Sequence, residues 1–539
     1  MTYFSRRTFG VIAAGVLVLS GCGGGKEVED DHLTLHRGNS AEPLTLDPHQ
    51  ASGTWENNII GDMFIGLFTE NAAGEPIPGM AENWTTSEDG MTWTFTLRDA
   101  NWSDGVPVTA NDFVYSLRRI LNPETLAQYA SLLFSIKNAE AVNNGKLPSE
   151  ALGVRAIDDH TLEIVLEYPA PYLPGLLSHY TSMPVPAHVV KEKGNAWIKP
   201  ENIQVNGPYK LVEWRTNDYV HVVKNPSFYD AENVCLNDIF YYPTVDNNSA
   251  ERQVREGRLD LNTDFPGQKL EFLNKQLPGY VRIHPFLGTT YFSINTRTAP
   301  FNDKRVRNAL GMALDRDFMT AEILKSGQIP AYSLVPPGVA NYPEGARAKW
   351  AGLSLEERRK QARALLMEAG FGPDHPLEFE YSYRNTGDNP RVAPAVQADW
   401  NDIAPWVHVT ISGTETQILY ANLRAGEFEV GDGGWIADYN DAQNFLYLME
   451  TKTGQMNYSK YSNAEYDALV ERSNKELDMQ KRAALMKKAE QIMVDDMPII
   501  PMWYVVNRAL VNPKVTGWVD NIVDIHRSRY LCIKPSDQP

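Results

Sequence analysis

Cysteine is almost missing from this chain, with three in 539 residues, at positions 22, 235 and 532. So few exclude a disulfide framework, and without a CxxC pair they suggest no zinc site. HExxH and GxSxG patterns are missing too, which argues against a zinc protease or a serine hydrolase. The 11 histidines form no ligand-spaced cluster along the chain, so no metal and no cofactor is expected. The paired acids Asp158-Asp159 and Asp495-Asp496 are sequence neighbours, and neighbours do not face each other across a substrate. Basic residues are the minority, 50 against 68 acids, for a net charge of −18. Phosphate binding needs clustered Lys and Arg, so nucleic acid is not a partner. Beyond the N-terminus no apolar run approaches the length of a membrane span.

What is present begins at that N-terminus. Ser5-Arg6-Arg7-Thr8-Phe9 leads into the apolar run Gly10 to Leu19, which closes on Leu19-Ser20-Gly21-Cys22. Two arginines before a short apolar stretch form an export signal of the twin-arginine type. A bilayer-spanning helix needs about 20 apolar residues, so the run reads as a signal core. Leu-Ser-Gly-Cys resembles a bacterial lipobox, whose cysteine is lipidated and becomes the new N-terminus. Residues 1–21 are therefore expected to be removed, and 22–33 to act as a flexible tether from a lipid on Cys22. The mature protein is expected in the cell envelope, outside the cytoplasm and anchored to a membrane.

The rest is long enough for two to four lobes. Thr92 to Leu97 alternates polar and apolar side chains, as a half-buried strand does. Val114, Leu117, Arg118 and Leu121 fall at helical spacing, with Thr109 or Asn111 as the cap. Leu162, Ile164 and Leu166 mark another strand, and Tyr209 to Val223 reads as two strands around Thr216-Asn217-Asp218. Helices are expected from Val306 to Leu314, from Leu355 to Ala369 before Gly370, and from Arg482 to Val494. An aromatic-rich strand then runs from Ile499 to Leu510. Proline and glycine are spread through the connections, so composition marks no domain boundary. Cys235 and Cys532 could bridge in an oxidising compartment, but spacing gives no Cα separation, and two buried free thiols are the expectation.

Several segments, in order along nearly the whole mature chain, carry a family pattern. They are Leu46-Asp47-Pro48-His49, Gly79-Met80-Ala81-Glu82-Asn83-Trp84, Trp93 to Arg98, and Trp102-Ser103-Asp104-Gly105 through Asn111-Asp112-Phe113-Val114-Tyr115-Ser116. Ala156 to Glu163, Asn206-Gly207-Pro208-Tyr209, Pro300-Phe301-Asn302-Asp303 through Arg307, and Gly434-Trp435-Ile436-Ala437-Asp438-Tyr439-Asn440 continue it. Together they resemble the extracytoplasmic oligopeptide-binding proteins of ABC importers, the family 5 solute-binding proteins. The resemblance implies an α/β, two-lobed periplasmic-binding-protein fold with an additional inserted domain and a hinge between the lobes. Carried onto this chain, lobe I comprises 34–65, 189–285 and 507–539, the inserted domain 66–188, and lobe II 286–506. The hinge would lie where the chain crosses near Phe286 and Val506.

The same resemblance implies a site without chemistry. Gly434 and Ile436, with Ser52, Gly53 and Thr54, would pair with the peptide main chain, so that the ligand adds as a strand. Trp435 would be a rigid wall and Asp438 would hold the peptide's α-ammonium group; on the residues alone, Asp438 reads rather as a loop acid capping a turn with Asn440. Tyr115 stands where the family has a cleft tyrosine, and by helix period it is equally a core aromatic. Asp432 departs from the pattern, because relatives place a carboxylate-binding base there. An acid at that position is expected to repel a carboxylate and attract a basic side chain.

The expected partners are an oligopeptide and the permease and ATPase subunits of an importer, with the binding protein itself a monomer. The same fold could instead take a murein peptide, a nickel complex, haem or an oligosaccharide, or serve as a receptor or adhesin. An exported hydrolase is the reading from a different class.

Overall fold

The structure is a computed structural model and describes residues 33–534. The export signal, the tether and Cys22 lie outside the described residues. An eleven-stranded sheet runs in the order Val407–Thr414, Leu377–Arg384, Val430–Ile436, Val281–Ile294, Ile499–Val511, Leu261–Asn262, Thr34–Gly38, Asp238–Tyr242, Tyr219–Lys224 and Tyr209–Arg215. Ile329–Pro330 joins it off this path, beside Ile499–Val511.

Two of these strands belong to both halves of the molecule. Val281–Ile294 and Ile499–Val511 pair antiparallel, but the ladder breaks between Pro285, opposite Val506, and Thr289, opposite Tyr504. An irregularity of this kind bends a strand and locally frees its backbone. On one side of the break a core runs from Leu35 to Leu261 and takes in Ala509 to Leu531. On the other a second core runs from Leu287 to Trp503. Hydrophobic burial thus divides the chain into two lobes joined at the break.

Residues 66–188 carry their own four-stranded sheet, in the order Ala81–Thr86, Thr92–Leu97, Thr161–Val165, Val154–Asp158. Phe68, Phe95 and Leu162 belong to the same buried set as Leu35 and Val220.

The local elements follow from short-range chemistry. The Ala110–Leu121 helix starts at Thr109, whose N–H donates to the Asp112 carboxylate at 2.9 Å, and it buries Phe113, Leu117 and Ile120. The Tyr209–Arg215 and Tyr219–Lys224 hairpin turns at Asn217, with φ of 60°. Gly370, at φ of 96°, follows the Leu355–Glu368 helix, where a left-handed residue is needed. The helix expected from Arg482 begins a turn earlier, at Met479, because the Asp478 side chain accepts from the amides of Gln480 and Lys481.

Cys235 and Cys532 correct the free-thiol expectation. They form a disulfide with Cα atoms 5.5 Å apart, separated by 297 residues in sequence. Cys532 lies in the C-terminal segment that returns to the first lobe. That return supplies the proximity which sequence spacing could not reveal.

Candidate functional site

Between the lobes lies a cleft of about 1160 Å³. Ser52, Gly53 and Thr54 line it from the first lobe, and Ile436, Ala437 and Asp438 from the second. Phe286, Leu287 and Val506, beside the break in the long strands, form part of its floor.

The Val430–Ile436 strand delivers the second-lobe residues. Its inner edge pairs with Val281–Ile294, from Gly288 opposite Ile436 to Ile294 opposite Val430. On its outer edge, Leu377–Arg384 reaches only Val430 and Gly431. From Asp432 onward, that edge has no strand partner among the described residues. Gly433 and Gly434 sit on this stretch, and a side chain at Gly434 would stand 3.2 Å from the Thr289 carbonyl. Gly434 and Trp435 do not form part of the cleft wall. The Trp435 indole instead donates to Asn444 Oδ1 at 2.9 Å and meets Tyr447 edge-on.

Asp438 follows the strand end. Its backbone N–H donates to the same Asn444 oxygen at 3.2 Å, so one amide side chain fixes both Trp435 and Asp438. The carboxylate is half-buried and has no cationic partner among the described residues. Burial pushes its pKa up from 3.8 to about 6, with Asn444 opposing the shift. Tyr129, Tyr180, Tyr439 and Tyr447 all feel its charge. Asn440 does not cap it, since that side chain accepts from the Ala340 amide at 2.8 Å. An unpaired carboxylate among phenols on a cleft wall is suited to a cation that brings its own charge and hydrogen-bond donors.

Three expected residues stand differently. Asp432 is 1% exposed, and its carboxylate receives Arg384 Nε at 2.7 Å and Nη2 at 3.3 Å. The acid is therefore neutralised from the neighbouring strand and cannot recruit a basic ligand side chain; the half-buried guanidinium is the more accessible member of the pair. Tyr115 is half-buried against the first core, with Lys191 Nζ 5.1 Å from its ring centre, and it is not part of the cleft wall. The Gly53 amide is already committed to the Glu56 carboxylate at 2.6 Å, because Gly53 caps the Thr54–Met63 helix. That leaves Ser52 and Thr54 as the first-lobe positions whose amides are not claimed by that cap.

Sequence reading missed Tyr129, Tyr180, Asn444 and Arg384. Tyr129, Tyr180 and Arg384 meet the site through tertiary placement, Asn444 lies six positions after Asp438, and none carries a local motif.

Residues 75–457 match the family model of the bacterial extracellular solute-binding proteins, family 5 (middle). The chain belongs to that family. The periplasmic oligopeptide-binding protein OppA of Salmonella typhimurium is 38% identical over 504 residues, covering 91% of this chain and 92% of the relative. Among solved structures, the unliganded open form of the periplasmic murein tripeptide-binding protein MppA superposes with a TM-score of 0.85 at 35% identity. That match covers 94% of this chain and 99% of the other. The Haemophilus influenzae OppA complex with the peptide RPPGFSPFR gives 0.76 at 33% identity, over 94% and 99% of the two chains. The fold is thus the two-lobed α/β architecture of family 5, and the family's members are binding proteins.

Proposed function

We propose that this family 5 protein captures oligopeptides between its lobes and presents them to the permease and ATPase subunits of an ABC importer. Asp438 is the observation that carries this reading: an unpaired, half-buried carboxylate at the end of a strand whose outer edge is open. A peptide laid along that edge satisfies its main-chain groups as an added strand and places its α-ammonium on Asp438. The break at Pro285 to Thr289 is the hinge, and closure about it removes the ammonium from water. The protein acts as a monomer, tethered in the cell envelope by a lipid on Cys22.

The test is a cycle that combines Asp438→Ala with N-acetylation of the peptide. Losing one member of a buried, hydrogen-bonded charge pair costs about 2–5 kcal/mol, roughly 30- to several-thousand-fold in affinity. Each change alone should cost that much, and acetylation should matter far less to the variant, because a shared interaction is lost once. Equal binding of free and acetylated peptide by the unaltered protein would rule Asp438 out as the ammonium partner.

A murein peptide is the second reading, supported by the similarity to the murein tripeptide-binding protein. A murein tripeptide freed from its sugar keeps an α-ammonium, so direct titration of that tripeptide against ordinary linear peptides separates the two ligands.

A further inference from the structure

Close to the break in the long strands, two imidazoles converge on one carboxylate. His284, on Val281–Ile294, is 5% exposed and His526, in the C-terminal segment, is 6% exposed. Asp524 Oδ1 lies 3.4 Å from His284 Nε2 and 3.1 Å from His526 Nε2. One ligand atom from each of the three residues lies within 4.8 Å of the others.

With His284 neutral, the hydrogen bonding of this cluster is incomplete. His284 Nδ1 lies 3.2 Å from the Pro285 carbonyl, which can only accept, so Nδ1 carries the hydrogen. In the neutral ring that leaves a lone pair on Nε2, and Nε2 has no hydrogen-bond partner in its buried position. It faces a carboxylate oxygen, which also offers only lone pairs. Either a second ring proton or a metal ion between them resolves the conflict. A ring N–H held by a backbone carbonyl is the usual support of a metal-ligating histidine.

The remaining ligands are held in place from behind. The Trp518 ring stacks on His526 at 3.6 Å between centroids. Asn521 grips the turn, donating to the Ile525 carbonyl at 2.9 Å and accepting from the Ile525 amide at 3.2 Å. Asp524 itself sits at φ of 54°, in the left-handed region. Tetrahedral zinc with ligands at about 2.0–2.1 Å separates them by about 3.3 Å, which both carboxylate distances match closely. Asp524 lines the cleft, so a fourth position opens toward it.

We propose that His284, Asp524 and His526 form a zinc site at the hinge side of the cleft, with its fourth position open to water or to a cleft ligand. Two nitrogens and one oxygen are a donor set suited to a borderline metal such as Zn²⁺ rather than to Ca²⁺ or Mg²⁺, which prefer oxygen. The ion joins the hinge strand to the C-terminal turn, where the Leu287 amide already donates to the Ile522 carbonyl at 3.0 Å. Arg37, which donates to the His526 carbonyl at 2.8 Å, contributes a nearby positive charge that lowers the affinity without occupying a ligand position.

The experiment titrates Zn²⁺ alone into the mature, untagged protein after chelator treatment, by calorimetry and without peptide. One equivalent should bind, and Co²⁺ at the same site should show the visible absorption of a four-coordinate complex. Asp524→Asn and His526→Gln should each weaken Zn²⁺ by tenfold or more. Zn²⁺ should raise the melting temperature of the unaltered protein and leave that of the variants unchanged. Melting without metal shows whether each variant folds, and Asp524→Asn, at the cleft surface, stands in if His526→Gln does not. No saturable binding, or binding unchanged in Asp524→Asn, overturns the site and leaves a proton as what the imidazoles and carboxylate share. Because peptide is absent, that failure is independent of Asp438.

Discussion

Tyr172 and Tyr439 stack across the cleft, with ring centres 5.0 Å apart and planes within 11° of parallel. Tyr172 belongs to the first lobe's side and Tyr439 directly follows Asp438, yet both pack against the first core. Behind them the buried Arg482 pairs with Asp441 at 2.7 Å and places its guanidinium 5.8 Å from the Tyr172 ring centre. The stack bridges the lobes beside Asp438. An aromatic pair of this kind contributes about 0.5–1.5 kcal/mol. Tyr172→Ala should therefore loosen the lobes, seen as a larger radius of gyration in solution scattering, and weaken peptide binding by about 2- to 12-fold. Unchanged scattering and affinity would show that the stack does not bias closure.

Asp438 should make peptide capture pH-dependent. Its folded-state pKa is raised from 3.8 to about 6, so the acid favours its protonated form in the ligand-free protein. Its contribution to stability is therefore present at low pH and is lost as pH rises through about 6. A peptide ammonium needs the ionised form, so affinity should fall by up to about tenfold per pH unit below about 6. Asp438→Asn should flatten that profile. Calorimetry in buffers of different ionisation enthalpy would show proton release on binding near pH 5.5 in the unaltered protein only.

Removing Arg384 should expose what it neutralises. Arg384→Leu leaves Asp432 buried without a partner, a loss of about 3 kcal/mol in urea unfolding. The double variant Arg384→Leu with Asp432→Leu should recover most of it, because the stranded charge is gone. Equal destabilisation in both variants would point to lost packing instead.

The Cys235–Cys532 bridge predicts that neither cysteine reacts in thiol titration of the unfolded, non-reduced mature protein. Reaction at Cys235 and Cys532 would exclude the bond. Replacing both by alanine should cost about 2–4 kcal/mol, since the bridge closes a long loop in the unfolded chain.

Cys22→Ala should release the protein from the membrane fraction or leave an unprocessed precursor. Arg6-Arg7 replaced by Lys-Lys should block export if the twin-arginine route is obligatory. Processing and fractionation identical to the unaltered protein would exclude the lipid anchor.

The elements legible in the sequence were those set by neighbours in the chain. Alternation made Thr92–Leu97 a strand, three- and four-residue spacing made Ala110–Leu121 a helix, and Asn217 and Gly370 marked turns because few residues take a positive φ. The family and its two-lobed fold were legible as an ordered series of motifs. Charge and side-chain partnership were not. Asp432 reads as a ligand-facing acid until Arg384 is brought alongside by sheet order, and Cys235 meets Cys532 only because the C-terminal segment folds back on the first lobe. His284 and His526 lie 242 positions apart by their numbers, so no spacing rule could group them. Local backbone preference acts over a few residues and is written along the chain. Coulomb pairing, desolvation and ligand convergence depend on distances in space, and only the packed lobes determine those.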